Sequence, residues 1–116
     1  MKNFVFTLIL LVTCSILYSQ SPSLFNYQGA LRNSEGEILS NSSVTLQLSI
    51  LEENINGNVV YAETHNINTS DLGLFNVFVG LGGPVVGNIE SVDWGSSNHY
   101  IKTEIDENGD GNFIVL

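Results

Sequence analysis

From Ser43 to Ile50 the chain alternates strictly between apolar and polar residues. Val44, Leu46, Leu48 and Ile50 are separated by Thr45, Gln47 and Ser49. Side chains of an extended backbone point alternately to its two faces, so this period of two predicts a strand with one buried face. Phe25, Tyr27, Gly29 and Leu31 alternate in the same way with Asn26, Gln28 and Arg32. No window of 11 residues carries helical periodicity, which directs the search towards an all-β fold.

The spacing of turn formers divides the remaining chain into strands. Asn33-Ser34-Glu35-Gly36 and Ser40-Asn41-Ser42 lie between the first two strands, with a short piece, Glu37 to Leu39, pairing locally. Asn54 to Asn58 is a turn in which Asn56-Gly57 would supply the positive φ of a tight hairpin. Val59 to Ile67 is a third long strand. Leu74 to Val79 is apolar at nearly every position except Asn76, the pattern of a strand covered on both faces. Gly80 to Gly87, with four glycines and Pro84, reads as a loop. Trp94 closes one end of the core, and Ile101, Thr103 and Ile105 share one face of a strand over Tyr100–Asp106. Phe113 to Leu116 starts a last strand, so the β-domain over 21–116 is expected to be truncated at its C-terminus. Short strands at this spacing predict a small antiparallel β-sandwich.

The first 20 residues belong to a separate account. Lys2 supplies a positive charge, and Phe4 to Leu17 form an apolar run interrupted by Thr7, Thr13, Cys14 and Ser15. The run is shorter than the roughly 20 residues of a membrane span and suits the core of an export signal, cleaved near Ser19 or Gln20. Cys14 is the only cysteine. Leu11-Val12-Thr13-Cys14 has the outline of a lipoprotein signal, but Thr13 stands where a smaller residue is usual and Ile16 to Tyr18 prolong the apolar run. With Cys14 removed alongside the signal, no disulfide framework holds the domain. The expected destination is secretion or the cell surface.

Beyond residue 20, only Arg32 and Lys102 oppose 12 carboxylates. Such an acidic surface repels phosphate backbones and anionic lipid, so neither nucleic acid nor a membrane surface is an expected partner. Few residues could carry chemistry. Asp106-Glu107-Asn108-Gly109-Asp110-Gly111 matches the opening of a calcium loop, in which Asp106, Asn108 and Asp110 would converge on one hard cation. The residue that would complete the motif as a bidentate Glu falls beyond Leu116, Ile114 stands at its ninth position, and the preceding segment reads as a strand. An ordinary hairpin turn explains the same residues. His65, beside Glu63, and His99, before Tyr100, lack Cys or His at ligand spacing and read as paired surface residues. Ser, His and Asp are present without a nucleophile-elbow motif, so no catalytic residue is assigned. No cofactor site is expected: Gly80 to Gly83 lacks the lysine and the following helix of a phosphate loop.

Several stretches also resemble known modules. Gly29-Ala30-Leu31-Arg32-Asn33-Ser34-Glu35-Gly36, with Leu39-Ser40-Asn41 and Val44-Thr45-Leu46, is similar to the opening of transthyretin-like and carboxypeptidase-regulatory-like sandwiches, where two strands flanking such a turn form the first hairpin. Over residues 24 to 116 the chain resembles an N-terminal β-domain of secreted bacterial surface and tail-fibre-like proteins. The matching stretches are Phe25-Asn26-Tyr27-Gln28-Gly29, Val60-Tyr61-Ala62-Glu63-Thr64-His65, Gly73-Leu74-Phe75-Asn76-Val77, Trp94-Gly95 and Ile101-Lys102-Thr103-Glu104-Ile105-Asp106. The resemblance implies a non-catalytic structural or presentation module whose partners are downstream domains of the same polypeptide or a surface assembly. The alternative is a calcium-dependent adhesion or carbohydrate-binding domain.

Overall fold

The computed structural model describes residues 24–116. The export signal over 1–20, its cleavage site and Cys14 lie outside the described residues. Seven strands follow in order: β1 (Phe25–Ala30), β2 (Ser43–Glu52), β3 (Val59–Asn68), β4 (Leu74–Val79), β5 (Gly83–Val86), β6 (His99–Asp106) and β7 (Ile114–Val115). A single turn of 3-10 helix, Ile89–Ser91, is capped by the Asn88 side chain accepting from the Glu90 N–H at 3.0 Å. The chain is all-β, as the alternating patterns predict.

The strands form two antiparallel sheets, β1-β4 and β5-β3-β2-β6-β7. β2 is the centre of the larger sheet, pairing with β3 from Ser43↔Asn68 to Leu51↔Val59 and with β6 from Thr45↔Asp106 to Glu52↔His99. Its apolar set faces the smaller sheet. Leu46 and Leu48 are fully buried, and Val44 and Ile50 nearly so, in one cluster with Phe75, Val77 and Val79 of β4 and with Tyr61 and Ile105. Two sheets with a shared core between them are the arrangement of a small β-sandwich. A bulge between Ile50 and Leu51 shifts the register at the far end of β2, where Ser49 and Leu51 are buried too. The single buried face expected of this strand therefore holds only over its first part.

Three expectations need correction. β4 is not covered on both faces: Phe75, Val77 and Val79 point into the core, whereas Leu74 and Phe78 are each 50% exposed. Among the described residues nothing packs on the outer side of this two-stranded sheet, and a nearly all-apolar sequence does not change this. The glycine-rich segment after β4 is not wholly a loop. Gly83 to Val86 forms β5 at the border of the larger sheet, where Pro84 is tolerated because an edge strand can spare a donor. Finally, Gly57 does not supply a left-handed residue; in that turn the positive φ belongs to Glu53, at 75°. Gly57 is needed for close approach, since a Cβ there would lie 1.8 Å from the Glu52 carbonyl oxygen.

The first turn also pairs differently from the hairpin that the resemblance implies. Arg32 and Ile38 make one isolated bridge, and the turn is organised by Asn33, whose Oδ1 accepts from the N–H groups of Glu35 and Glu37. The full partner of β1 is β4, from Phe25↔Val79 to Ala30↔Leu74. At one end of the core, the half-buried Trp94 meets the Phe25 ring edge-on, with centroids 6.2 Å apart. Leu46→Ala, which removes a side chain buried from every side, is expected to lower unfolding free energy by about 2–5 kcal/mol in a urea titration.

Candidate functional site

The most constrained polar site is one that the sequence reading passed over. Glu63 lies in the middle of β3 and is 0% exposed. In a strand, residues two apart share a face, so Tyr61, Glu63 and His65 stand in a row. The Tyr61 hydroxyl donates to Glu63 Oε2, and His65 Nε2 lies 2.6 Å from Oε1. Two further donors come from the chain just after β4. The Gly80 N–H reaches both carboxylate oxygens at 3.0 and 2.9 Å, and the Gly82 N–H reaches Oε2 at 3.3 Å. A buried carboxylate is costly unless hydrogen bonds compensate for its lost hydration. Here side chains from β3 and backbone amides from the crossing segment provide that compensation.

The local sequence makes the site possible. Gly80 has φ of 106°, a conformation that a residue with a Cβ rarely adopts. A Cβ on Gly82 would stand 2.7 Å from both His65 Nε2 and the Thr64 carbonyl oxygen. Gly80 to Gly82 carries the chain from the smaller sheet to the larger one, and the absence of side chains lets its amides come down onto the carboxylate. Burial, then the Glu63 hydrogen bond and charge, push the Tyr61 phenol well above its ordinary value of 10.0. His65 is therefore not a paired surface residue: it is mostly enclosed and belongs to this cluster.

The acidic loop is organised around Asp106, which is 5% exposed. Its Oδ1 accepts from the N–H groups of Asn108, Gly109 and Asp110 at 3.2, 2.9 and 3.3 Å. Its Oδ2 accepts from the Gly111 N–H at 2.9 Å. Asp110 turns instead to Asn112, taking its backbone N–H at 3.0 Å and its side-chain amide at 3.1 Å. These bonds hold the Asp110 carboxyl below the ordinary carboxylate range. The N–H dipoles thus point at the oxygens that a cation would use. Asp106, Asn108 and Asp110 are close in the chain, but Asp106 and Asp110 are directed to separate sets of donors. No group of three or more His, Cys, Asp or Glu side chains with metal-binding proximity occurs among the described residues.

His99 lies apart from both clusters. Its Nδ1 is 3.0 Å from the Ser97 carbonyl oxygen, which fixes the proton on that nitrogen, and its ring stacks at a tilt on Trp94 with centroids 5.1 Å apart. The structure therefore brings His65 and Glu63 together and leaves His99 and Asp106 in separate places. The signal for the buried cluster was an acid flanked at two-residue spacing by Tyr61 and His65, inside an otherwise core-forming strand.

A family model described as a domain of unknown function, DUF8740, matches residues 26–115. The chain belongs to this family. No curated protein and no solved structure matches it. The DUF8740 match spans β1 to β7 and so takes in both the Glu63 cluster and the Asp106 turn.

Two measurements address the Glu63 cluster. Glu63→Ala would leave buried donors without an acceptor, and each such group costs about 1–3 kcal/mol, so the expected loss is larger than that of a surface Glu→Ala change in the same urea assay. The second concerns alkaline pH. The folded state holds the Tyr61 phenol neutral beyond its unfolded value, so this contribution is complete below pH 10.0 and is lost as pH rises through and above it. Tyr61→Phe is therefore expected to flatten the fall of the urea midpoint above pH 10.0 relative to the unaltered chain.

Proposed function

We propose that this chain is a secreted, non-catalytic β-module, Ig-like or transthyretin-like in its sandwich, that holds and presents other polypeptide segments at a bacterial cell surface. The observation that carries the reading is the use made of the buried carboxylates. Glu63 and Asp106 are enclosed by donors that fix a crossing segment and a turn, and such groups organise a scaffold. A general base or nucleophile needs a reachable lone pair, and Glu63 has no exposed surface. The apolar start of the chain, Phe4 to Leu17 behind Lys2, supports export, and the acid-rich composition supports solubility outside the cell.

The calcium-dependent reading draws less support. Asp106 and Asp110 already accept from amides of the loop and its flank, so much of their acceptor capacity serves the turn itself. This distinction can be tested directly. The thermal midpoint of the unaltered chain is expected to be the same with millimolar calcium and with chelator, while Asp106→Ala lowers it equally in both. A calcium-raised midpoint that disappears in Asp110→Ala would favour the adhesion reading instead. For the presentation role, a reporter joined after Leu116 is expected to be reachable by external protease on intact bacteria. A reporter kept in the cytoplasm would overturn the surface assignment.

A further inference from the structure

The chain between β4 and the 3-10 turn is anchored at its two ends and little in between. Val79 and Ile89 are buried in the core cluster, yet no residue from Gly80 to Asn88 is buried. Within this stretch β5 is exposed at all four positions. The large apolar side chains Leu81, Val85 and Val86 are exposed too, so they do not fasten the stretch to the domain. Its ladder with β3 is short and uneven. The pairs are Ala62↔Val86, Glu63↔Pro84 and Thr64↔Gly83, with a register shift between Ala62 and Glu63. Pro84 has no N–H to give to that ladder. Between the stretch and β3 lies a hollow of about 280 Å³, lined by Tyr61 and Ile89 and by Gly80, Gly82, Pro84 and Gly87. The stretch therefore arches over β3 without packing down on it.

Both ends of the arch carry a residue that can turn freely. Gly80 has φ of 106° and Gly87 φ of 66°, conformations open to glycine and costly for other residues. Such positions absorb the backbone change when a covering segment lifts. What holds the arch closed is Glu63. The Gly80 and Gly82 N–H groups donate to its carboxylate from the arch, whereas Tyr61 and His65 belong to β3 and stay with the carboxylate. A segment with exposed backbone pairing and no buried apolar side chain lies at the low end of local stability.

We propose that Gly80 to Asn88 is a hinged strap that opens ahead of the rest of the domain, with Glu63 as its latch. Closed, it covers the outer border of β3 through β5 and roofs the hollow over Tyr61. Open, it uncovers that border and the Tyr61–Glu63 pair, while Val79 and Ile89 keep both of its ends in the core. The protection of this side of the larger sheet is thus conditional on the latch. The hinges and the latch act together, because a strap fixed at both ends moves as one piece.

The test is hydrogen exchange of the full chain, followed amide by amide at low urea. The Gly80 and Gly82 amides are expected to exchange at least about tenfold faster than the Leu48 amide in β2, with little response to urea, because local opening exposes little surface. Glu63→Gln keeps the size of the latch but sets an amide NH₂ among its donors. It is expected to speed exchange at the amides by which β5 pairs with β3, well beyond any change at Leu48. Gly87→Ala touches neither the carboxylate nor its donors; its Cβ would lie 2.5 Å from the Val60 carbonyl oxygen when the strap is closed. It is expected to speed the Gly80 and Gly82 amides at the opposite end by about tenfold relative to Leu48. If Glu63→Gln does not fold, the unaltered chain and Gly87→Ala decide the matter. Exchange of Gly80 and Gly82 at the rate and urea dependence of Leu48 would mean that the stretch opens only with the whole domain, and would overturn the proposal. Gly87→Ala leaving Gly80 and Gly82 unchanged relative to Leu48 would overturn it as well, since the two ends would then move separately.

Discussion

The shortest of the chain's crossings between the two sheets is the three residues from β4 to β5, and that junction depends on a single buried carboxylate. Glu63 has no exposed surface, and the Gly80 and Gly82 amides come to its two oxygens from the crossing between β4 and β5. Neither side is favourable alone. The carboxylate would be left without hydration, and the crossing amides would lack strand partners. Together they fix where β4 ends, which brings Val79 into the core, and where β5 begins, beside the same stretch of β3. Tyr61 and His65 complete the enclosure from within the strand.

The same economy of carboxylates appears at the other end of the larger sheet. Asp106 terminates β6 and gathers the amides of the following turn, so the chain reverses and β7 returns along β6. Both buried acids therefore work on backbone donors at the ends of strands. The remaining carboxylates lie nearer the surface, where repulsion is screened and favours solubility over association.

Much of this fold can be read in the residues because alternation is enforced locally. Val44, Leu46 and Leu48, or Thr103 and Ile105, are on one face wherever the strand is extended, and the core that they build follows. Features decided by distant partners are not legible in that way. Leu74 and Phe78 look like core residues, and their exposure reflects the lack of a third layer beyond the two-stranded sheet among the described residues. Pro84 and its glycines look like a loop, and they form a strand because β3 offers a border there. Glu63 gave only a faint signal, since its meaning depends on amides 17 and 19 residues further on. The Asp106 loop shows the converse: a recognisable sequence pattern whose side chains are already committed to their own backbone.

The two lateral borders of the larger sheet differ in kind. On one side stands β5, four residues long and carrying a proline, a combination that discourages sideways growth. On the other side the chain itself returns along β6 as β7. A sheet able to extend from both borders could propagate from copy to copy into an open filament. With one border blunted, any contact made through the other is stoichiometric and ends there. The four-residue strand at one margin thus acts as a stop that keeps the count at one.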